Sequence, residues 1–590
     1  MDPPTLICLG FQWHFEGDDN RNAACGIEYR KTGEGAWSRG MPLLRVEGEE
    51  PKEDGWYQRP MFAGSLLDLD EGTDYEVRLT VSDPDGVEGD ARRTLTVRTR
   101  AMPAPVAGGE VRHVYPPRPR NKKQPEFNSI AAALRGKNLG AHDAGKLPTE
   151  NAAPPGTTVL VHAGTYKPDR YRYRDPSGMV LFGSNVLSAD GTREKPIVIK
   201  AAGDGKVVLD FAGNHCGFNV MGADWLVFDG LTVRNTDIAF LAGMWNTTGC
   251  VGLTVRNCRI EDVNSGVVGF HGRCREFIIA DNVFTGRYTQ DEKVGEGAPM
   301  VSMYGVNLCG GGHVVCHNRL SRFFDVIDVW TEGTRDPSFR CWAFDIYNND
   351  IDFSPDNAIE ADGGYTNIRI LRNRCFNSGG PALSNQRPTP GPVYWIRNVV
   401  VNGHAFKNVV GASGLRIYHN TIACNPAMCL RANHTEYLNN LFMASRAGAS
   451  RRCGPGMKMG FGTADCRLDY NGHRVAPGDT AVFRVENRAA RSGEAATLTD
   501  LAAKTGYAAH SVTVPDYGIF RGVAREPFGP RGSLFRPENY DFRLKPDAPP
   551  VDAGVVIPNV NNNCTGEAPD LGAYEVGRPT PHYGPRTQAK

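Results

Sequence analysis

Between residues 224 and 440 one pattern keeps returning, a short segment of apolar and polar positions closed by an asparagine. Leu253-Thr254-Val255, Phe277-Ile278-Ile279 and Ile368-Arg369-Ile370 have the period of half-buried strands. The asparagines are Asn257, Asn282, Asn318, Asn349, Asn373, Asn398, Asn420 and Asn440, at gaps of 25, 36, 31, 24, 25, 22 and 20. Repeats of this length mark stacked units, and these are too short and too rich in strand-formers to be helical hairpins. A coil of short parallel strands accounts for both facts. Its rungs would lie about 4.8 Å apart, so that a residue recurring at one phase forms a ladder, and buried asparagines can pair with turn backbone above and below. Asp469-Tyr470-Asn471 reads as a further step.

Residues 1–104 show a different pattern, short strands at Leu6 to Phe15, Gly26 to Arg30, Leu43 to Val46 and Tyr75 to Val81 separated by Gly- and Asp-rich turns. This predicts a small β-sandwich. Leu69-Asp70-Glu71-Gly72-Thr73-Asp74-Tyr75, together with Trp37, resembles the corner motif of fibronectin type III domains. The resemblance implies a spacer or a wall of a binding site. Residues 105–154 read as a proline- and base-containing linker followed by a capping helix. Asn128 is its expected N-cap, and Ser129 to Leu134 would plug the open end of the coil. The coil would occupy 155–576 and a surface tail 577–590. Leu498 to Thr505 reads as a short helix, and Arg451-Arg452 as a basic loop.

The opening Pro155-Gly156-Thr157-Thr158-Val159-Leu160-Val161-His162-Ala163-Gly164-Thr165-Tyr166 resembles the start of right-handed parallel β-helix proteins of the pectate-lyase-like superfamily. Val551-Asp552-Ala553-Gly554 and Pro569-Asp570-Leu571-Gly572-Ala573-Tyr574-Glu575 are similar to the closing segment of secreted members. The resemblance implies an all-β, right-handed parallel β-helix preceded by a small β-sandwich. It also implies a carbohydrate-active enzyme, without choosing among hydrolases, lyases, esterases and epimerases.

Net charge is zero, with 66 basic and 66 acidic residues among 590, which argues against nucleic acid as a partner. No apolar run is long enough to span a membrane, and Met1-Asp2-Pro3-Pro4 does not open like a signal peptide. The expected location is secreted or periplasmic, with the export signal missing from this sequence. Fifteen cysteines, with no Cys-x-x-Cys, read as small fillers of the coil interior.

Ladder phase sets Asp325-Val326-Ile327-Asp328-Val329-Trp330 over Asn357-Ala358-Ile359-Glu360-Ala361-Asp362. Ile327 on Ile359 faces inward, so Asp328 on Glu360 and Trp330 on Asp362 face out. Extending the register gives a strip of His271, Tyr304, Asp328 and Trp330, Glu360 and Asp362, Ser384 with Gln386 and Arg387, Lys407, then Arg431 and Asn433. Carboxylates for proton transfer beside aromatics, amides and bases suit a poly- or oligosaccharide. Stacked like charges should push one carboxyl pKa upward. The expected catalytic residues are Asp328, Glu360 and Asp362. The substrate contacts are His271, Tyr304, Trp330, Gln386, Arg387, Lys407 and Arg431. Asp325, Asp352 and Asp356 are reserve acids.

Glycoside hydrolysis needs no cofactor. Carboxyls about 5 Å apart retain configuration and wider pairs invert it, leaving Asp328 with Glu360 and Asp328 with Asp362 both open. In the alternative, a lyase acting on uronates, the same three carboxylates would hold Ca²⁺. Asp328 with Glu360-x-Asp362 is similar to the Ca²⁺ triad of alginate and dermatan lyases of this fold. Those enzymes carry a lysine soon after the triad, where this chain has Gly363-Gly364-Tyr365-Thr366-Asn367, and an arginine where it has Ser384. His404 and His271 are candidate bases. A third expectation is a non-catalytic glycan-binding protein.

Overall fold

The computed structural model describes the chain except residues 47–58, 118–125, 137–151, 168–171, 175–179, 183–184, 188, 290–300, 331–338, 387–388, 409–411, 426–431, 444–455, 476–480, 525, 528–532 and 588–590. The repeats build a parallel β-helix. Among the described residues, one parallel sheet has 13 strands, running from Val111–Val114 to Arg467–Asp469. A second system of 18 strands comprises two ladders, joined where strands such as Thr232–Gly243, Arg259–Gly269 and Val399–Asn408 run through both. The coil therefore has three strand-lined walls. The largest apolar cluster fills its interior.

The asparagine ladder is continuous from Asn282 to Asn471. In order, Asn282, Asn318, Asn349, Asn373, Asn398, Asn420 and Asn440 each donate from Nδ2 to Oδ1 of the next rung, at 2.9–3.1 Å. Each also donates its backbone N–H to that same Oδ1. A second Nδ2 hydrogen reaches a strand carbonyl, as from Asn373 to Ile346 O at 2.8 Å. All eight side chains are buried. The residue before each one, from Asp281 through Arg372 to Tyr470, is left-handed with φ between 50° and 59°. A left-handed non-glycine residue costs roughly 1–2 kcal/mol. The several bonds of each asparagine, at about 0.5–1.5 kcal/mol net apiece, offset that strain and set the turn.

Asn257 is not a rung. It occupies the left-handed position itself and donates to Asp229 Oδ1 at 2.7 Å, while Cys258 stands at the ladder phase and donates its N–H to Asn282 Oδ1. The ladder begins one coil later than the spacing indicated.

Two further boundaries differ. The first rung is Val111–Val114, paired in parallel with Thr158–Val161, within the stretch expected to be linker. The capping helix Ile130–Arg135 starts from Ser129 rather than Asn128, because Ser129 Oγ accepts from Ala132 N and Gly136 closes the other end left-handed. Its side chains are buried in the coil's apolar cluster, so it plugs the end as anticipated. The helix Leu498–Thr505 also forms. Thirteen cysteines among the described residues are free thiols, twelve of them buried.

Antiparallel sheets of three and four strands form the N-terminal sandwich. Tyr75 Oη accepts from Asp70 N at 2.9 Å, and the Trp37 ring meets the guanidinium groups of Arg30 and Arg78. The sandwich is no detached spacer. Leu6, Cys8, Met41 and Leu67 pack on the outer face of the 13-stranded sheet against Val314, Tyr347, Tyr394 and Tyr418. At the centre of the contact Arg369 Nε meets Asp345 at 2.5 Å with both side chains fully buried, Thr5 Oγ1 donates to the same carboxylate, and Arg369 Nη1 donates to Ser65 Oγ. The C-terminal tail lies on the turns, with Gly584 N donating to Asn348 O and Arg586 paired with Asp281 at 2.6 Å.

Asn373→Ala leaves two neighbouring rungs with unmet polar groups, and should lower unfolding stability by about 2–3 kcal/mol. Urea unfolding followed by circular dichroism checks this, with a lowered midpoint and an unchanged slope expected.

Candidate active site

The alternation of inward and outward positions builds the site. Val306, Ile327, Ile359, Leu383 and Phe406 pair rung to rung and face the core. The adjacent outward line is Leu241, Val268, Asn307, Asp328, Glu360, Ser384 and Lys407. At about 4.8 Å per rung it runs for about 29 Å. Its chemistry changes in order from apolar to amide, acid, hydroxyl and base.

The pairing of Asp328 with Glu360, and of Ser384 with Lys407, is as the sequence indicated. The earlier rungs are displaced. Tyr304 pairs with Asp325, and Asn307 is the residue beside Asp328. Gly269 pairs with Leu308, so His271 falls beyond the strand in a turn, where its Nδ1 accepts from Arg273 N and its ring meets Phe339 edge-on at 5.5 Å. Asn433 belongs to a separate five-stranded sheet, paired with Ser413. Asp352 lies on another ladder, holding Asn377 at 2.6 Å. Arg387, Arg431 and the Arg451-Arg452 loop fall outside the described residues, as does the side chain of His404.

The three expected catalytic carboxyls face outward and yet are covered, with exposures of 2% for Asp328, 7% for Glu360 and 2% for Asp362. Asp362 Oδ1 accepts from Ser384 Oγ at 2.9 Å and Gln386 N at 2.7 Å. Glu360 Oε1 accepts from Gln386 Nε2 at 3.0 Å and Asn357 Nδ2 at 3.2 Å. Asn357 also donates through N and Nδ2 to Asp325 Oδ1, tying a fourth carboxyl into the group. Asn307 Nδ2 donates to Asp328 Oδ2 at 3.2 Å, while Asp328 Oδ1 is buried without a hydrogen-bond partner.

Burial is the main cause of every pKa shift in this cluster. It pushes Glu360 up to about 9, helped by the charges of Asp362 and Asp325. Burial, with the charge of Asp356, raises Asp325 to about 7. Asp328 is driven well up by burial and then by Glu360. Asp362 rises too, but its bonds from Gln386 and Ser384, a hydrogen bond with Glu360 and the nearby Lys407 charge all oppose the rise. The surroundings thus favour the proton on Glu360 and support charge on Asp362. A carboxyl pushed well up stands beside one held by two donors, which is the division of labour proton transfer requires.

Asn307 and Asn357 were not singled out by the sequence reading. A long insertion between Gly286 and Tyr304 interrupts the spacing, so the phase of Asn307 follows only from the pairing of Val306 with Ile327. Asn357 stands three residues before Glu360, where a turn folds it back between two acids.

A cavity of about 250 Å³ opens at the amide rung, walled in part by Trp245, Val268, Tyr304, Asn307 and Trp330. A larger cleft of about 740 Å³ lies between the sandwich, the 13-stranded sheet and residues 555–558. Its charges are matched to each other. His434 meets Asp465 at 2.7 Å, and burial would raise Glu436 had Arg416, Tyr418 and Arg467 not brought it below its usual value. The smaller cavity, one rung from the raised carboxyls, is the one next to reactive groups.

No family model matches this chain, and no curated protein does. Three solved structures similar in part are enzymes. A mannuronic acid specific polysaccharide family 6 lyase from human gut microbiota is 11% identical, with 67% of this chain and 86% of that one covered and a TM-score of 0.34. A Yersinia enterocolitica family 28 exopolygalacturonase is 11% identical over 90% and 99% of the two chains, with a TM-score of 0.25. The PL6 family alginate lyase AlyGC is 13% identical over 67% and 57%, with a TM-score of 0.31. Likeness at this level leaves function to be argued from the site itself.

Titration of the cluster should be visible in stability. A carboxyl whose folded pKa lies above its unfolded value binds more protons in the native state, so stability falls as pH rises from the unfolded pKa toward the folded one. For Glu360 the window runs from about 4.5 to about 9. Urea midpoints measured across pH 5–9 should decline, and Glu360→Gln, which cannot ionise, should flatten that decline.

Proposed function

We propose that this protein is an exported enzyme that cleaves glycosidic bonds of a poly- or oligosaccharide, by hydrolysis at the Asp328, Glu360 and Asp362 cluster. The observation that carries this reading is the buried Glu360, its pKa pushed up, beside the Asp362 that Ser384 and Gln386 orient, on an outward line running from apolar to basic groups. Glu360 gives its proton to the glycosidic oxygen as the C1–O bond breaks. Water adds to C1 and the proton it loses returns to the carboxyl cluster. Asp362 and Asp325 keep negative charge off Glu360, and Asp328, one rung away, is itself driven up by burial and by Glu360. Trp330 and Tyr304 offer ring faces to the sugar, Gln386 fixes both carboxyls, and Lys407 favours negative charge on Asp362.

A second reading has its own support. Asp328 Oδ1, Asn307 Oδ1 and Asn357 Oδ1 are all buried without partners. Hard oxygen donors of this kind suit Ca²⁺, although no three carboxylate, histidine or cysteine side chains among the described residues converge as a metal cage. Asp328, Glu360 and the two amides would then hold the ion, and its chemistry would be to neutralise a uronate carboxylate for β-elimination. The chain's own groups would still have to remove the C5 proton, and Lys407 is the nearest base on the line.

A polysaccharide panel assayed for new reducing ends and for the ultraviolet absorbance of unsaturated uronate separates the two. Hydrolysis predicts reducing ends without absorbance, insensitivity to chelator, and a fall in kcat of about 10²–10⁴ for Glu360→Gln. Absorbance abolished by chelator would replace hydrolysis by elimination. Binding without either product would leave a glycan-binding protein.

A further inference from the structure

The apolar end of the outward line is unusual for a groove that is to hold a chain of hydroxyls. Leu241 and Val268 are paired rungs at positions where a polar glycan would meet hydrogen-bonding groups, and both line the 250 Å³ cavity. Trp245 stands at its rim with 63% of its surface exposed, beside the half-buried Met244. At the cavity's other side is Asn307. Its side chain is 4% exposed, its Nδ2 is engaged with Asp328, and its Oδ1 has no hydrogen-bond partner. The cavity is smaller than the roughly 300–1,000 Å³ of pockets that engulf drug-sized ligands, so it suits one sugar unit or its substituent.

We infer that this cavity is a subsite for an acetylated sugar, and specifically for an acetamido group. The inference rests on the glycan reading of the neighbouring carboxyls. The acetamido methyl lies against the half-buried Val268 and the buried Leu241, removing its own apolar surface and that of Val268 from water. Its N–H donates to Asn307 Oδ1, a buried side-chain acceptor of the lining without a partner, and the pyranose face rests on the exposed Trp245. An unmodified hydroxyl in the same place would be buried against two aliphatic side chains. An O-acetyl ester would supply the methyl but no donor, leaving Asn307 Oδ1 unpaired at a cost. Because Asn307 stands beside Asp328 and Asp328 beside Glu360, an occupant here is registered two rungs, about 9.6 Å, from the acid along the line.

Saturation-transfer NMR on the full chain tests this without requiring turnover. The probes are N-acetylglucosamine and N-acetylgalactosamine, the parent glucose and galactose, and 6-O-acetylglucose. The N-acetylated sugars should bind about tenfold more tightly than their parents, with the acetamido methyl receiving the most saturation. Met244→Trp, which fills the cavity from its rim, should erase that preference, and Trp245→Ala should weaken binding of acetylated sugars. Unchanged melting of each variant guards against misfolding. Equal signals from acetylated and parent sugars, no signal from any, or a preference that survives Met244→Trp would overturn the inference. A 6-O-acetylglucose signal equal to that of N-acetylglucosamine would overturn the role of Asn307. An acetamido preference without glycosidic cleavage would leave the subsite standing and remove the enzymatic reading. Cleavage without the preference would do the reverse.

Discussion

Everything in the coil depends on the asparagine at the turn. A stack of short parallel strands has ordinary backbone bonds along its walls, but the corner before each asparagine from Asn282 to Asn471 turns through a left-handed residue that is not glycine. Strain recurring once per coil would accumulate over the length of the solenoid. Each ladder side chain between the two ends accepts twice and donates twice, to its neighbours and to a strand carbonyl, and so ties the corner to the rungs on either side. The polar groups have no access to water, so the bonds are strong and their loss expensive. The corners also fix register, because a one-residue slip would drive Asp328 and Glu360 inward and Ile327 and Ile359 outward.

The site inherits its properties from that register. Carboxyls one rung apart cannot both be ionised cheaply once they are covered, and here four of them are covered together. Amide donors from Asn357, Gln386 and Asn307 divide the group unequally, giving Asp362 the strongest support for charge and leaving Glu360 as the acid. The neighbouring rungs grade from basic Lys407 to aliphatic Leu241. A linear ligand laid along this line would meet a different environment every few ångströms.

On the 13-stranded sheet, away from the outward line, the N-terminal sandwich is locked by a buried charge pair rather than by apolar surface alone. Arg369 and Asp345 are both strand residues of the coil, and Thr5 and Ser65 of the sandwich complete their bonding. Such a pair contributes little net stability, since desolvation opposes its attraction. Separating the domains, however, would strip each ion of a hydrogen bond from the sandwich.

The sequence by itself determined the coil, because a ladder written as a repeated residue at a repeated phase needs no tertiary information to be seen. Asn282 through Asn471, the plug at Ser129 to Leu134 and the pairing of Ile327 with Ile359 all follow from period and alternation. Errors came where spacing was interrupted or where two similar residues adjoin. Asn257 has the letter of the ladder but the conformation of the residue before it, and the insertion ahead of Tyr304 moved that strand's phase and concealed Asn307. Only the tertiary structure decided that the outward carboxyls are covered, that Asp325 joins them through Asn357, and that the sandwich packs on the 13-stranded sheet. Those outcomes depend on what lies above a strand face, and alternation records which side a residue takes without recording what meets it there.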